Sequence, residues 1–218
     1  MILAVCGGKG GVGKTTTALN LAAELDAVLV DADLGMADVP AGRGPDLHDV
    51  LAGRACAVEA VRERGDPAVL PCGRTLAGAR EADPRRLVDA LAAVEAEYER
   101  VVVDCPAGLR ADVGIGLLAA DAAVLVTTPD RAALADALRA RSLAVELDAG
   151  LAAVAYNRAD EGSDAVRDAL GAPVVAVPHG EPAAAAVASG RPACALAPDS
   201  TVAARYGALA ARVRDCAE

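Results

Sequence analysis

The sequence predicts an α/β domain with a mostly parallel β-sheet flanked by helices on both faces. Three observations carry this. Short apolar runs rich in Val recur along the chain, continuous rather than alternating, as strands covered on both faces are. Amphipathic helical patterns separate them. The 218 residues, 54% of them hydrophobic, suffice for one sizeable core, and no linker, repeat or low-complexity stretch divides them. Residues 1–218 therefore read as a single domain.

Taken in order, strands are predicted at 2–6, 27–30, 68–70, 101–103, 122–126, 151–155 and 174–177. Asp83 as N-cap and Pro84 at the first helical position open a helix whose Leu87, Leu91 and Val94 share a face. Thr128 and Pro129 are expected to open another, with Leu134 and Leu138 one turn apart. The last helix is expected from Asp199-Ser200, burying Val202, Tyr206, Leu209 and Val213. Strand, helix and strand in this alternation build a parallel sheet.

Charge and composition exclude several functions. Acidic residues number 31 against 21 basic ones, a formal net charge of −10, which repels nucleic acid and anionic lipid unless a basic patch overrides it. Arg85-Arg86 and Arg139 to Arg141 are too sparse to form one. Aromatic residues are 1% of the chain, so base-stacking platforms are missing. No run approaches the ~20 apolar residues of a membrane span, and no leader pattern opens the chain; a cytoplasmic protein is expected. The six cysteines are scattered without a C-x-x-C pair, as buried thiols in a reducing compartment would be. Every basic residue is Arg except Lys9 and Lys14. A GC-rich genome yields part of this bias; acid excess with so little Lys and few large aromatics reads as adaptation to high salt.

Lys9 and Lys14 both fall in Gly7-Gly8-Lys9-Gly10-Gly11-Val12-Gly13-Lys14-Thr15-Thr16-Thr17, directly after the first predicted strand. Gly8 to Thr15 satisfies G-x-x-x-x-G-K-[ST], the phosphate-binding loop of a P-loop NTPase. Its glycines let successive backbone N–H groups point at phosphate oxygens. Lys14 reaches the β- and γ-phosphates, and the Thr15 hydroxyl is a Mg²⁺ ligand. The helix starting near Lys14 adds its positive end. The second strand ends in Asp31-Ala32-Asp33, which on spacing alone is either a pair of solvated turn carboxylates or part of the site.

The run Gly8-Lys9-Gly10-Gly11-Val12-Gly13-Lys14-Thr15 resembles the deviant Walker A loop of the MinD/ParA family of ATPases, and the likeness extends from about residue 2 to the last helix. In that family a lysine matching Lys9 crosses a two-fold interface to the ATP of the partner subunit. Asp31 to Asp38 is similar to switch I, where the residue matching Asp33 positions the attacking water and the one matching Asp31 lies near the metal. The family has Asn where Asp38 stands. Leu47 to Gly53 is similar to the helix after switch I, with His48 expected to pack. Val101 to Gly108 resembles Walker B and switch II, with Asp104 holding the Mg²⁺ shell; Cys105 replaces the usual Ser or Ala. Asn157 and Arg158 match the place where the family reads adenine, with Asn able to donate and accept, and Pro178-His179 matches the loop across the base.

The resemblance implies a Mg²⁺-dependent, slow ATPase that dimerises with ATP and engages an activator or cargo protein, positioning division sites, chromosomes, plasmids or other cargo. Relatives with the same loop include iron–sulfur or metal carriers, the alternative here; the resemblance puts Cys105 near the two-fold, and Cys194 and Cys216 are too far apart and lack a C-x-x-C motif. The final residues, Ala211 to Glu218, lack the basic and bulky apolar faces of a membrane-binding helix, so intrinsic membrane binding is not expected.

Overall fold

The computed structural model describes residues 1–8, 10–35, 43–108 and 111–217. Among them, seven strands form one sheet in the order β3-β2-β4-β1-β5-β6-β7. The strands are β1 (Ile2–Cys6), β2 (Val28–Asp31), β3 (Val69–Leu70), β4 (Val101–Asp104), β5 (Ala122–Thr127), β6 (Gly150–Asn157) and β7 (Val174–Val177). All strand pairs are parallel. The helices are α1 (Lys14–Glu24), α2 (Leu47–Leu51), α3 (Ala57–Ala60), α4 (Leu76–Glu81), α5 (Leu87–Tyr98), α6 (Ala111–Leu118), α7 (Arg131–Glu146), α8 (Asp164–Leu170), α9 (Glu181–Ser189), α10 (Ala193–Leu196) and α11 (Thr201–Ala217).

Apolar side chains from both faces of the strands explain their continuous runs. One core lies under α2, α5 and α7, with Leu47, Leu91 and Ala140 among its buried residues. The other lies under α1 and α11, with Leu19, Leu21 and Leu209. Val202, Tyr206, Leu209 and Val213 of α11 are 4% exposed or less, as their spacing predicts, each contributing about 1.5–3 kcal/mol of apolar burial.

Two local expectations need correction. Asp83 caps a 3₁₀ turn, Pro84–Arg86, and α5 begins one residue later at Leu87. The cap of α7 is Asp130 rather than Thr128-Pro129: its carboxylate accepts from the N–H groups of Ala132 and Ala133 at 2.7 and 3.2 Å. The buried face of α7 consists of Ala133, Ala137, Ala140 and Ala144, while Leu138 is 38% exposed. Small residues let that helix approach its neighbours closely, so the large side chain points outward.

The topology fixes where a ligand belongs. From β1 the chain turns to one side of the sheet for β2, β3 and β4, then to the other for β5, β6 and β7. Connections diverge at the carboxyl ends of β1 and β4, which is where open α/β sheets leave a binding crevice.

Candidate functional site

Register decides which side chains meet at that edge. Asp31 pairs with Asp104 across β2 and β4, and Val5 pairs with Asp104 across β1 and β4. The ladder continues one residue further, with Ala32 N–H donating to the Asp104 carbonyl and Cys105 N–H to the Val5 carbonyl, both at 3.1 Å. Two carboxylates thus stand side by side, 0% and 1% exposed, next to the strand that runs into the glycine-rich loop. Lys14, 8% exposed, brings its ammonium to the same place, where its charge acts on the buried thiols of Cys6 and Cys105.

The loop between β1 and α1 is braced on one side and open on the other. A Cβ on Gly7 would lie 2.5 Å from the Val126 carbonyl oxygen, and one on Gly8 would lie 2.2 Å from Asp136 Cβ. Cβ atoms on Gly10 and Gly11 would meet nothing within 4 Å among the described residues. Gly13, at φ 97°, caps α1, and its carbonyl accepts from Thr17 N–H at 2.9 Å. Val12 is buried, and Thr15 and Thr16 are half-buried in the first turn of α1. The first turn carries no acidic side chain, leaving the positive helix end available to an anion. Lys9 and Asp38 lie outside the described residues.

The oxygen donors here suit one kind of metal. Among the described residues no three His, Cys, Asp or Glu side chains converge as a metal cage. A Thr hydroxyl with one or two carboxylates fits Mg²⁺, which keeps several waters and takes its remaining ligands from phosphate. Thr15, Asp104 and Asp31 are residues of that donor type at this edge of the sheet.

Asn157, Arg158, Pro178 and His179 line one cavity of about 140 Å³ with Thr16 and Tyr206. Asn157 ends β6 and is 7% exposed. Its Nδ2 donates to the Val12 carbonyl at 2.9 Å and to the Thr17 hydroxyl at 3.3 Å, and its Oδ1 is buried without a hydrogen-bond partner among the described residues. Arg158 is exposed and donates from Nη2 to the Gly11 carbonyl at 2.6 Å, so it latches the open half of the loop.

Comparisons with known proteins place the chain in a family. A family model described as an AAA domain matches residues 1–139. An uncharacterized ATP-binding protein of Methanocaldococcus jannaschii is 32% identical over 228 residues, covering 97% of this chain and 86% of that protein. The cell division ATPase MinD of Pyrococcus furiosus superposes with a TM-score of 0.91 at 29% identity, over 99% of this chain and 98% of that one. The septum site-determining protein MinD of Pyrococcus horikoshii, solved with Mg-ADP, gives 0.91 at 28% identity, over 99% and 96%. The chain belongs to the MinD/ParA family of ATPases. Its parallel seven-stranded sheet is the MinD P-loop fold.

For a MinD/ParA-like ATPase, the segment after β2 is switch I. Asp33 is half-buried; its N–H donates to Asp31 Oδ1 and its Oδ1 accepts from Gly35 N–H, both at 3.2 Å. His48, expected only to pack, is buried but also hydrogen-bonds to the Leu34 carbonyl at 3.1 Å. Cys105 is 2% exposed, and burial pushes its thiol well above the usual range.

Three residues of the site escape sequence reasoning. Thr17 accepts from Asn157 and hydrogen-bonds Tyr206. Tyr206, readable only as a core residue of α11, also walls the cavity; burial drives its hydroxyl up to about 12, against the effect of Thr17. Asn20, 1% exposed, donates to the Thr16 carbonyl at 2.8 Å and accepts from Ala193 N–H at 2.6 Å, tying α1 to α10. A polar residue within the otherwise apolar Ala18 to Ala22 was the available signal for Asn20.

Proposed function

We propose that this chain is an ATP-driven molecular switch. It binds ATP with Mg²⁺, closes face to face with a second copy, engages an activator or cargo protein, and resets on slow, partner-stimulated hydrolysis. The single domain over residues 1–218 is the moving unit. The observation that supports this most strongly is the pair of buried carboxylates, Asp31 and Asp104, at the strand edge where the Lys14 charge acts on Cys6 and Cys105. The similarity to MinD proteins favours a role in spatial positioning, of a division site, a chromosome or plasmid, or another cargo.

The roles follow from the chemistry. Gly8, Lys9, Gly10, Gly11, Val12, Gly13, Lys14, Thr15 and Thr16 wrap the phosphates. Bound Mg²⁺ supplies charge neutralisation on the β- and γ-phosphates, held by Thr15, Asp104 and the nearby Asp31. Asp33 holds the attacking water, and Lys14 together with Lys9 of the partner subunit meets the charge that develops as the bond from the γ-phosphorus to the bridging oxygen breaks. Products are ADP and phosphate. Asn157, Arg158, Pro178 and His179 take the adenine. The acidic chain works in the cytoplasm of a salt-adapted cell, and its charge disfavours direct binding to nucleic acid.

Lys14→Ala tests the site. Backbone dipoles alone offset several phosphate charges poorly, so ATP affinity is expected to fall on the order of a hundredfold, about 2.7 kcal/mol, in a titration with a fluorescent ATP analogue. Unchanged affinity would remove the phosphate-loop assignment.

A further inference from the structure

Switch I is held from behind by two side chains that the phosphate chemistry does not use. Cys72 Sγ donates to the Asp33 carbonyl at 3.1 Å, and His48 Nε2 donates to the next carbonyl, that of Leu34, also at 3.1 Å. The two side-chain atoms lie 3.5 Å apart. Cys72 is 0% and His48 3% exposed. Two consecutive carbonyls of the segment that carries Asp33 are thereby pinned by groups from two other parts of the chain.

Both donors are themselves fixed. His48 sits on α2, whose first turn is closed by a reciprocal cap: Asp49 N–H donates to Asp46 Oδ1 at 3.2 Å and Asp46 N–H to Asp49 Oδ2 at 3.3 Å. Leu47 N–H donates to the Pro71 carbonyl at 2.9 Å, which joins that turn to the stretch leading into Cys72. A Cβ on Gly73 would lie 2.0 Å from His48 Nδ1, and one on Gly78 would lie 3.0 Å away. The ring is boxed in by backbone. A carbonyl oxygen only accepts, so Nε2 carries the ring hydrogen, and Nδ1 is buried with no hydrogen-bond partner among the described residues.

Packing alone does not account for this arrangement. A buried imidazole nitrogen and a buried thiol cost desolvation that an apolar side chain of similar size avoids, and both are aimed at the same two peptide units. Those units adjoin the Asp33 amide, which donates to Asp31, and the Asp33 carboxylate, which accepts from Gly35. With amide and carbonyl both held, the direction of the carboxylate is set by the backbone.

We infer that His48 and Cys72 are positioning residues of the ATPase, a backbone clamp that holds Asp33 in line for water; this rests on Asp33 acting as the water-positioning carboxylate. A misplacement of about 1 Å at such a group lowers turnover by up to about a hundredfold, with nucleotide binding untouched because neither residue reaches the phosphate loop or the base cavity.

The test uses the full chain in four variants, with Asp33→Ala as a control. Cys72→Ala removes one donor and few atoms; Cys72→Ser keeps a donor. His48→Leu removes the other, and His48→Gln keeps an N–H. Phosphate release at saturating ATP, ATP affinity, circular dichroism and hydrogen exchange of the peptide containing Asp33 to Gly35 are measured for each. Cys72→Ala and His48→Leu are expected to lose about tenfold in kcat, to keep ATP affinity within about twofold, and to exchange about tenfold faster in that peptide. The two donor-retaining variants are expected to recover most of both losses. Wild-type kcat and exchange in Cys72→Ala overturn the clamp even if His48→Leu fails to fold, as does a loss shared equally by the donor-retaining variants. Normal hydrolysis by Asp33→Ala removes the reading of Asp33 instead. The clamp is then decided by exchange alone, sustained by a faster rate in Cys72→Ala and overturned by an unchanged one.

Discussion

Asn157 Nδ2 donates to the Val12 carbonyl at 2.9 Å, which binds the end of β6 to the phosphate loop and fixes which way the amide is turned. With the nitrogen directed at Val12 and Thr17, the oxygen is buried with no hydrogen-bond partner among the described residues, and in the proposed function it is the acceptor that the base meets. Under the proposed base-reading role, that acceptor pairs with the exocyclic amine of adenine and opposes the carbonyl oxygen of guanine.

ATP is therefore expected to bind about ten- to a hundredfold tighter than GTP, the range of one hydrogen bond against one unsatisfied acceptor pair. ITP, which carries the same carbonyl as GTP, is expected to bind as weakly. Asn157→Ala is expected to lose the discrimination and to loosen the loop it braces. A fluorescence competition titration measures all three; equal affinities for ATP and GTP would refute the base-reading role.

Much of this site is legible in the sequence because its chemistry is local. Gly8 to Thr15 is a contiguous loop, and Asp31 and Asp104 each close a strand of apolar residues. Strand ends were harder to place for the same reason: β2, β4 and β5 run one residue past their apolar runs into Asp31, Asp104 and Thr127, since backbone pairing continues where function demands a polar side chain. Contacts between distant segments were not legible. Asn157 with Val12, Tyr206 with Thr17, and His48 with Leu34 depend on how helices and loops converge, which no single-chain pattern encodes. On α7, Leu134 packs against the core, but its neighbour one turn on, Leu138, is exposed, and four alanines form the fully buried face that the sheet and neighbouring helices accept.

That small-residue face has a measurable consequence. Ala137 is 0% exposed and Leu138 is 38% exposed. Ala137→Leu forces extra atoms into a filled contact and is expected to destabilise by about 1–3 kcal/mol. Leu138→Ala is expected to cost less than about 1 kcal/mol. Urea unfolding of both variants gives the comparison; a larger loss at Leu138 would contradict the alanine face.

Buried thiols also give the protein an alkaline limit. Burial pushes Cys6 up to about 12, and raises Cys72 and Cys105 as well. In the unfolded chain these thiols lose their protons near pH 9, while the native protein retains them. Their contribution is full below about pH 9 and declines as pH rises toward 12, each thiol adding a slope of about 1.4 kcal/mol per pH unit. Urea midpoints between pH 8 and 11 should fall accordingly, and Cys6→Ala should shallow the slope. A midpoint independent of pH across that range would contradict the burial of these protonated thiols.

ATP-dependent closure of two subunits is the central claim, and Lys9 with Asp33 separates it from chemistry. Light scattering of Lys9→Ala and Asp33→Ala with ATP and Mg²⁺, paired with a phosphate-release assay, tests it most directly. Asp33→Ala is expected to bind ATP, reach the mass of two chains and release no phosphate. Lys9→Ala is expected to bind ATP and remain at the mass of one. A Lys9→Ala protein that dimerises normally with ATP would contradict the account.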